Sequence, residues 1–509
     1  MKNLSYIYKV VLLVFVFGLS SCEDWFDLRP KSETILEDYW KNASDVESMV
    51  ASCYRAMNDG GFVDRLLVWG EVRSDNVIAG PGVNQSQGVS RILNLALNAS
   101  NEYTSWFEFY RVINYCNTVI YYAETVREKD PNFTEGQLRA YLGEVKGIRA
   151  LCYFTLVRAF RDIPYITEPV IDDSQSFEEA QTDPDFIIRD LIKDLIDAES
   201  STSMEFDNYE FDKGRITRKA IWALIADMSL WIGDYQTCSD YCDKILSVQG
   251  ASLSLDRSSE FARNLFLERN TSSEVIFSLL FTDFSNGPVE SMYLEKLSSF
   301  DFSKVEPKLF GSDDLRGKDF YSPNETDGLF PIIKYVGYRV GQATSSYSYV
   351  RGVACYKWIF YRLADVYLMK AEALVERNSL GDLEAAFDLV STIYDRANPE
   401  LGAGSLNFDS YGSQGAMRNL VLEERQREFL FEGKRYFDLL RWIKREGSTT
   451  NIVNRYLKPK YSSLNQGTVL GKIDDKDALY MPINENELKV NLLLKQNPFY
   501  VVSSDINKN

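Results

Sequence analysis

The sequence predicts a mostly α-helical scaffold of about four helical hairpins, a degenerate tetratricopeptide-like array, interrupted by large irregular excursions that contain a few short strands. Three observations predict it. Apolar residues recur in steps of three and four over long stretches, the spacing that lines one face of a helix. Those stretches come in pairs separated by short turns bearing Gly or Pro. Small residues also recur at repeat-like spacings, Ala226, Cys238 and Cys242 standing twelve and four apart.

Taken in order, the chain opens with Lys2 and Lys9, then an apolar run from Val10 to Leu19, then Leu19-Ser20-Ser21-Cys22. A charged start, a short apolar stretch and small residues before a cut describe a secretory signal. The run is too short to span a bilayer, which takes about 20 apolar residues. A Cys directly after Leu-Ser-Ser resembles the bacterial lipobox. Residues 1–21 therefore read as a removed leader, Cys22 as the lipidation site, 22–40 as a lipidated tether containing Pro30, and 41–509 as a single domain.

Trp106, Phe109, Ile113, Cys116, Ile120 and Ala123 share one helix face, Pro131-Asn132 ends it, and Leu138, Leu142, Val145, Cys152 and Leu156 form the inner side of a second helix that stops before Pro164. This is the first hairpin, near 103–160. An amphipathic helix follows from Phe186 to Ala198. Three more hairpins are expected at 217–247, 358–397 and 414–446, turning at Gly233-Asp234, Gly381-Asp382 and Gly433, the last as a left-handed C-cap. In the third, Ala371 and Ala385 stand fourteen apart, which places a two-residue insertion in its turn. Trp106 and Trp358 both read as packing residues, Trp358 at the opening of a repeat helix. The excursions lie near 60–102 and 251–357; within the second, Val275 to Phe281 is a buried-strand candidate. Long irregular stretches in a compact protein are usually functional.

Composition narrows the chemistry. A formal charge of −18, which becomes −20 when Lys2 and Lys9 leave with the signal, argues against nucleic acid, whose phosphates need a basic surface. The same balance argues against electrostatic docking on anionic lipid, leaving acyl chains as the anchor. There is no histidine, which removes Ser-His-Asp and Cys-His catalysis and imidazole-based zinc sites. Carboxylate-pair glycoside hydrolysis and simple binding both survive that test. Of seven cysteines, Cys22 is the odd one; Cys238 and Cys242, one helical turn apart with no His or second Cys pair nearby, read as buried free thiols rather than metal ligands. No cofactor is expected.

Several segments together carry a family resemblance. Cys22-Glu23-Asp24-Trp25-Phe26-Asp27-Leu28-Arg29-Pro30 pairs a cysteine with an aromatic tether and a proline. Arg149 to Phe154, running on to Phe160-Arg161-Asp162-Ile163-Pro164, marks the first repeat, and Arg362 to Ala373 the third. From Glu424 to Trp442 runs a charged-aromatic string, Glu-Arg-Gln-Arg-Glu-Phe-Leu-Phe-Glu-Gly-Lys-Arg-Tyr-Phe-Asp-Leu-Leu-Arg-Trp. Near the end stand Met481-Pro482-Ile483, Glu487 and Gln496-Asn497-Pro498, with Asn484 where a second proline is common and Phe499 where a glycine is. The chain resembles the SusD/RagB family of nutrient-binding outer membrane lipoproteins of Bacteroidetes. The resemblance implies a non-catalytic protein, lipid-anchored at the outer membrane and facing the exterior, with Glu23-Asp24 as part of its outward address. It implies binding of oligosaccharide or polysaccharide and delivery to a partner, a SusC-like TonB-dependent transporter. Peptides or another nutrient are the alternative cargo, and a carboxylate-dependent glycoside hydrolase the alternative class.

The string from Glu424 to Trp442 has two readings. A catalytic one would pair Glu428 with Asp438; the structural one, preferred here, has Glu424, Arg427, Glu428, Glu432 and Arg435 forming ion pairs one turn apart along the helices. Ligand candidates come instead from the excursions, because sugar binding needs flat aromatic faces and planar polar groups. The first supplies Trp69, Arg73, Asp75 and Asn76, with Tyr103 before the first hairpin. The second supplies Tyr293, Tyr338, Tyr347 and Tyr349, with Tyr335 among them.

Overall fold

Helical hairpins form at all four expected positions, the third beginning at Leu363 rather than 358. Their helices are Phe107–Lys129 with Glu135–Phe160, Arg218–Ile232 with Tyr235–Ser247, Leu363–Arg377 with Asp382–Ala397, and Gln414–Phe429 with Arg435–Glu446. The computed structural model describes residues 39–501, apart from 172–174, 176–177, 251, 270–271, 282–286, 305–307, 324–325, 341–347, 403 and 462–469. The leader, Cys22 and nearly all of the tether lie outside the described residues. Residues 42–509 cluster into one unit, separate from 1–41.

Local chemistry sets the hairpin turns. Gly233 at φ +80 closes the second hairpin's first helix, and the Asp234 side chain accepts from the Thr237 N–H to open its second. The third hairpin's turn spans 378–381 against the second's 233–234, which accommodates the expected two-residue insertion; Asn378 and Gly381 take the left-handed conformation there. The hairpins stack in sequence, the helix Pro184–Glu199 packing between the first and second. Ala364, Leu368, Ala371, Ala386, Val390, Ile393, Leu420 and Val421 fill the seam between the third and fourth. Six cysteines are buried free thiols, Cys238 and Cys242 included.

Three expectations need correction. Trp358 does not open a helix. It lies in the strand Lys357–Arg362, which pairs antiparallel with Val275–Leu280, so the expected strand is present and Trp358 belongs to its partner. The run Trp-Ile-Phe-Tyr favours a pleated, fully buried strand, and helix begins only at Leu363. Gly433 is left-handed at φ +69, but the helix before it ends at Phe429, so Gly433 is a tight-turn residue beyond the cap. Its carbonyl lies 1.9 Å from where a Cβ on Gly70 would stand, so two backbones touch there. Third, the first excursion is largely helical: Gly60–Leu67 continues into a π-helical turn, Val68–Val72, and Gln87–Leu93 follows. The second excursion keeps its irregular character, with short pieces and a hairpin of Gly337–Val340 against Ser348–Arg351.

Candidate functional site

A cleft of about 400 Å³ opens in the second excursion. Its walls come from the helix Phe261–Phe266, the turn Arg316–Asp319 and the strand Gly337–Val340, with Glu400 at the rim. Tyr338 stands half-buried on the strand, and the Arg263 guanidinium lies over its ring, 5.1 Å from the centroid. Next on that strand Arg339 donates to Asp319 at 2.7 Å, and its cross-strand partner Tyr349 donates its hydroxyl to the Lys318 carbonyl at 2.9 Å. Burial raises the Asp319 carboxyl above its usual range, with Arg339 opposing the shift.

The floor is built from the fold itself. Lys334 Nζ donates to Glu432 at 2.7 Å and sits 3.7 Å from the Phe320 ring centroid. Burial lowers it to about 8 against the pull of Glu432. Tyr335 is buried at φ +70 and stacks on Trp358, ring centroids 5.3 Å apart. The arrangement offers an aromatic face beside planar forks and carboxylates, a set suited to paired hydroxyls.

Of the sequence candidates, Tyr338 lines this cleft and Tyr349 braces its wall from behind. Tyr347 lies outside the described residues. Tyr293 is fully buried and donates its hydroxyl to the Phe431 carbonyl at 2.7 Å. The expectation of an open set at 69–76 is corrected by burial. Trp69 is 0% exposed, donates its indole N–H to the Tyr103 carbonyl at 2.8 Å and packs on Phe109 and Phe160. Tyr103 is buried too, its phenol pushed up to about 12, chiefly by burial. Asp75 accepts both arms of Arg435 at 2.8 and 2.9 Å, and Asn76 donates to Glu71 at 2.8 Å. Arg73 donates to the Ala478 carbonyl at 3.2 Å with its plane over Tyr436. These residues form the joint between the first excursion and the last hairpin.

The cleft residues missed by sequence reasoning are Glu260, Arg263, Asp319, Arg339 and Glu400. Only Arg339, beside Tyr338, carried a positional hint. Glu71 was also missed: it is fully buried, accepts from the Gly433 N–H at 2.9 Å, and burial raises its carboxyl to about 7.

The Glu424–Trp442 string forms a buried charge network rather than a site. Glu424 and Arg427 pair along the helix at 2.8 Å as expected. Asp438 and Arg441 pair the same way at 2.9 Å, while the remaining pairs run between elements. Glu428 meets Arg316 at 3.0 Å and Arg362 at 2.5 Å, and also pairs with Arg396. Glu432 meets Lys334 and Arg362, and Asp438 accepts both arms of Arg425 at 2.9 and 2.8 Å. Burial alone would raise these carboxyls, yet the facing guanidiniums hold Glu428 well below its usual range and Glu432 and Asp438 down to about 2. A carboxylate so clamped cannot take up a proton at neutral pH.

A model of the SusD family matches residues 316–500, and a second, described as starch-binding associating with outer membrane, matches 24–230. Two curated relatives from Formosa agariphila, SusD-like proteins P38 and P25, are each 25% identical over 86% of this chain, covering 91% and 90% of their own lengths. SusD superfamily structures from Bacteroides vulgatus and Bacteroides thetaiotaomicron superpose with a TM-score of 0.70 at 20% identity, over 91% and 90% of this chain and 100% of each of theirs. Their helical scaffold is the one described above. With both halves matched by models of one family, and the fold shared from end to end, the chain belongs to the SusD/RagB family.

Proposed function

We propose that this protein is a non-catalytic glycan receptor, anchored through Cys22 on the outer face of the outer membrane, which passes oligosaccharides to a partner TonB-dependent transporter. The observation that carries the reading is the Tyr338 cleft. Its volume of about 400 Å³ lies within the range of ligand sites, roughly 300–1,000 Å³. It places an aromatic ring and two guanidinium forks around one opening. The matched family model described as starch-binding at the outer membrane supports the same cargo and location. The binding rather than hydrolytic role is supported by Glu428 and Asp438, the pair a hydrolase reading would choose, being locked to arginines.

Affinity electrophoresis through gels containing starch and other neutral polysaccharides tests the reading. Retardation by at least one glycan is expected, lost in Tyr338→Ala, with no reducing sugar released. Released reducing ends would overturn the non-catalytic role, and retention only by peptides would overturn the cargo. Cys22→Ser should free a folded protein from the membrane fraction; unchanged fractionation would refute the anchor. Co-purification of a barrel transporter from gently solubilised membranes tests the partner.

A further inference from the structure

Arg73 is 8% exposed and forms no ion pair among the described residues. One arm donates to the Ala478 carbonyl at 3.2 Å, its plane lies 4.4 Å from the Tyr436 ring centroid, and its other terminal nitrogen, Nη1, has no hydrogen-bond partner. Leaving a buried charged donor unmatched forfeits its full desolvation cost, so such a group asks for an explanation. Arg73 lines a pocket of about 70 Å³, walled by Tyr436, Tyr461 and Leu97, with Tyr500, Phe499 and Lys472 around it. Lys472 is exposed and its ammonium donates to the Leu95 carbonyl at 3.0 Å, not to a carboxylate. Beside this pocket Lys460 likewise donates to two backbone carbonyls, Val72 and Ser74, at 2.7 Å each.

Three of the nearby carboxylates are already held by cations, while Asp475, next to Tyr500, keeps its charge. Asp75 holds Arg435, Asp474 holds Lys458, Asp477 holds Arg161, and Asp475 accepts the Asp477 N–H. In a chain with a net charge of −18, Arg73 and Lys472 thus stand at this pocket without a paired carboxylate among the described residues, whereas Lys460 has Asp75 and Glu71 nearby. Charges beyond roughly 8–10 Å are screened at physiological salt, so the local excess, not the net charge, governs a small anion here.

We propose that this pocket is an anion subsite that takes the oxyanion group of an acidic sugar residue, a carboxylate or a sulfate, on Arg73 with Lys472 at the mouth. The space holds such a group and little more, which leaves the sugar ring outside against Phe499 and Tyr500. This inference rests on the glycan reading above but uses a different site.

Calorimetric titration of the mature protein with glucuronate, galactose 6-sulfate and glucose tests it. Saturable binding of one or both acidic sugars is expected, weakening as salt rises, with none for glucose in this pocket; the arm that binds identifies the group. Lys472→Glu should weaken that binding by about tenfold or more with an unchanged melting temperature. Arg73→Gln should abolish it, but that change removes the Ala478 hydrogen bond, so the exposed Lys472 variant is the deciding one. Tyr338→Ala should leave the acidic titration intact. Indistinguishable titrations of the acidic sugars and glucose, or full affinity in Lys472→Glu, would overturn the subsite. If neutral glycans still bound through Tyr338 in that case, the glycan reading would stand alone.

Discussion

Arg362 and Arg263 carry the same guanidinium in two regions that use it in opposite ways. Arg362 is fully buried at the end of a core strand, and its nitrogens meet Glu274, Glu428 and Glu432 between 2.5 and 3.0 Å. Arg263 stands on the rim of the cleft, with Glu268 at 3.1 Å and Tyr338 under its plane. In the buried network each ion is desolvated at a cost of several kcal/mol, which only a complete set of partners offsets. In the cleft, water remains the alternative partner, so a ligand can take its place cheaply. Charge density in a sequence therefore does not mark a site; unsatisfied bonding capacity facing an opening does.

The comparison breaks most visibly at Glu428. Glu428→Ala takes one shared counter-charge from Arg316, Arg362 and Arg396 at once, and removing one partner of a buried pair costs about 3–5 kcal/mol. The expected outcome is a large fall in the urea midpoint or failure to accumulate folded protein. A midpoint matching the parent's would mean that the network does not clamp the fold.

That contrast also explains what the sequence could show. The hairpins were legible because a helix repeats its chemistry every three or four residues, and the turns because Gly233 and Gly381 need left-handed backbone. The strand Lys357–Arg362 was absorbed into a helix because six buried residues have no period of their own and their partner lies about eighty residues earlier. Asp75 looked like a ligand because its partner, Arg435, is 360 residues away. Local pattern cannot say which charges are already answered across the fold. Tyr338 was legible as an aromatic in an irregular stretch, while Asp319 and Glu400 carried no signal until the chain brought them to the same opening.

Acid should separate the two regions next. Glu428, Glu432 and Asp438 have folded pKa values below their unfolded ones, so the native state holds fewer protons than the unfolded chain in that interval. For Glu432 and Asp438 the stabilisation is complete above about pH 4.5 and is lost as pH falls toward about 2, and Glu428 acts in the same direction. For Glu432, lowered to about 2, the loss is about 3 kcal/mol at 1.36 kcal/mol per unit. Asp319 in the cleft shifts upward instead and contributes with the opposite sign. Urea unfolding across this range should show a steep decline, and a flat profile would contradict the clamped carboxylates.

Tyr338→Ala acts on the other side of the contrast. A central aromatic contact is worth about 2 kcal/mol or more of binding, roughly 30-fold in affinity. The side chain is half-buried on a two-stranded hairpin rather than in the core, so the melting temperature should hardly move. A variant that lost stability while retaining its glycan affinity would place Tyr338 with the packing aromatics such as Trp69.

The sharpest comparison is also the smallest effect, Arg263→Ala measured beside Arg362→Ala. The side chains of Arg263 and Glu268 are 49% and 40% exposed, and such pairs contribute about 0–1 kcal/mol. Arg263→Ala should therefore leave the urea midpoint within error while weakening glycan retardation several-fold, because the fork that orders Tyr338 is gone. Arg263→Lys should recover little of that loss, since an ammonium supplies charge without the planar pair of donors. Arg362→Ala should do the reverse, unfolding the protein before any binding can be read. If Arg263→Ala instead destabilised the chain as Arg362→Ala does, the cleft rim would belong to the scaffold, and open bonding capacity would no longer distinguish the site from the network beneath it.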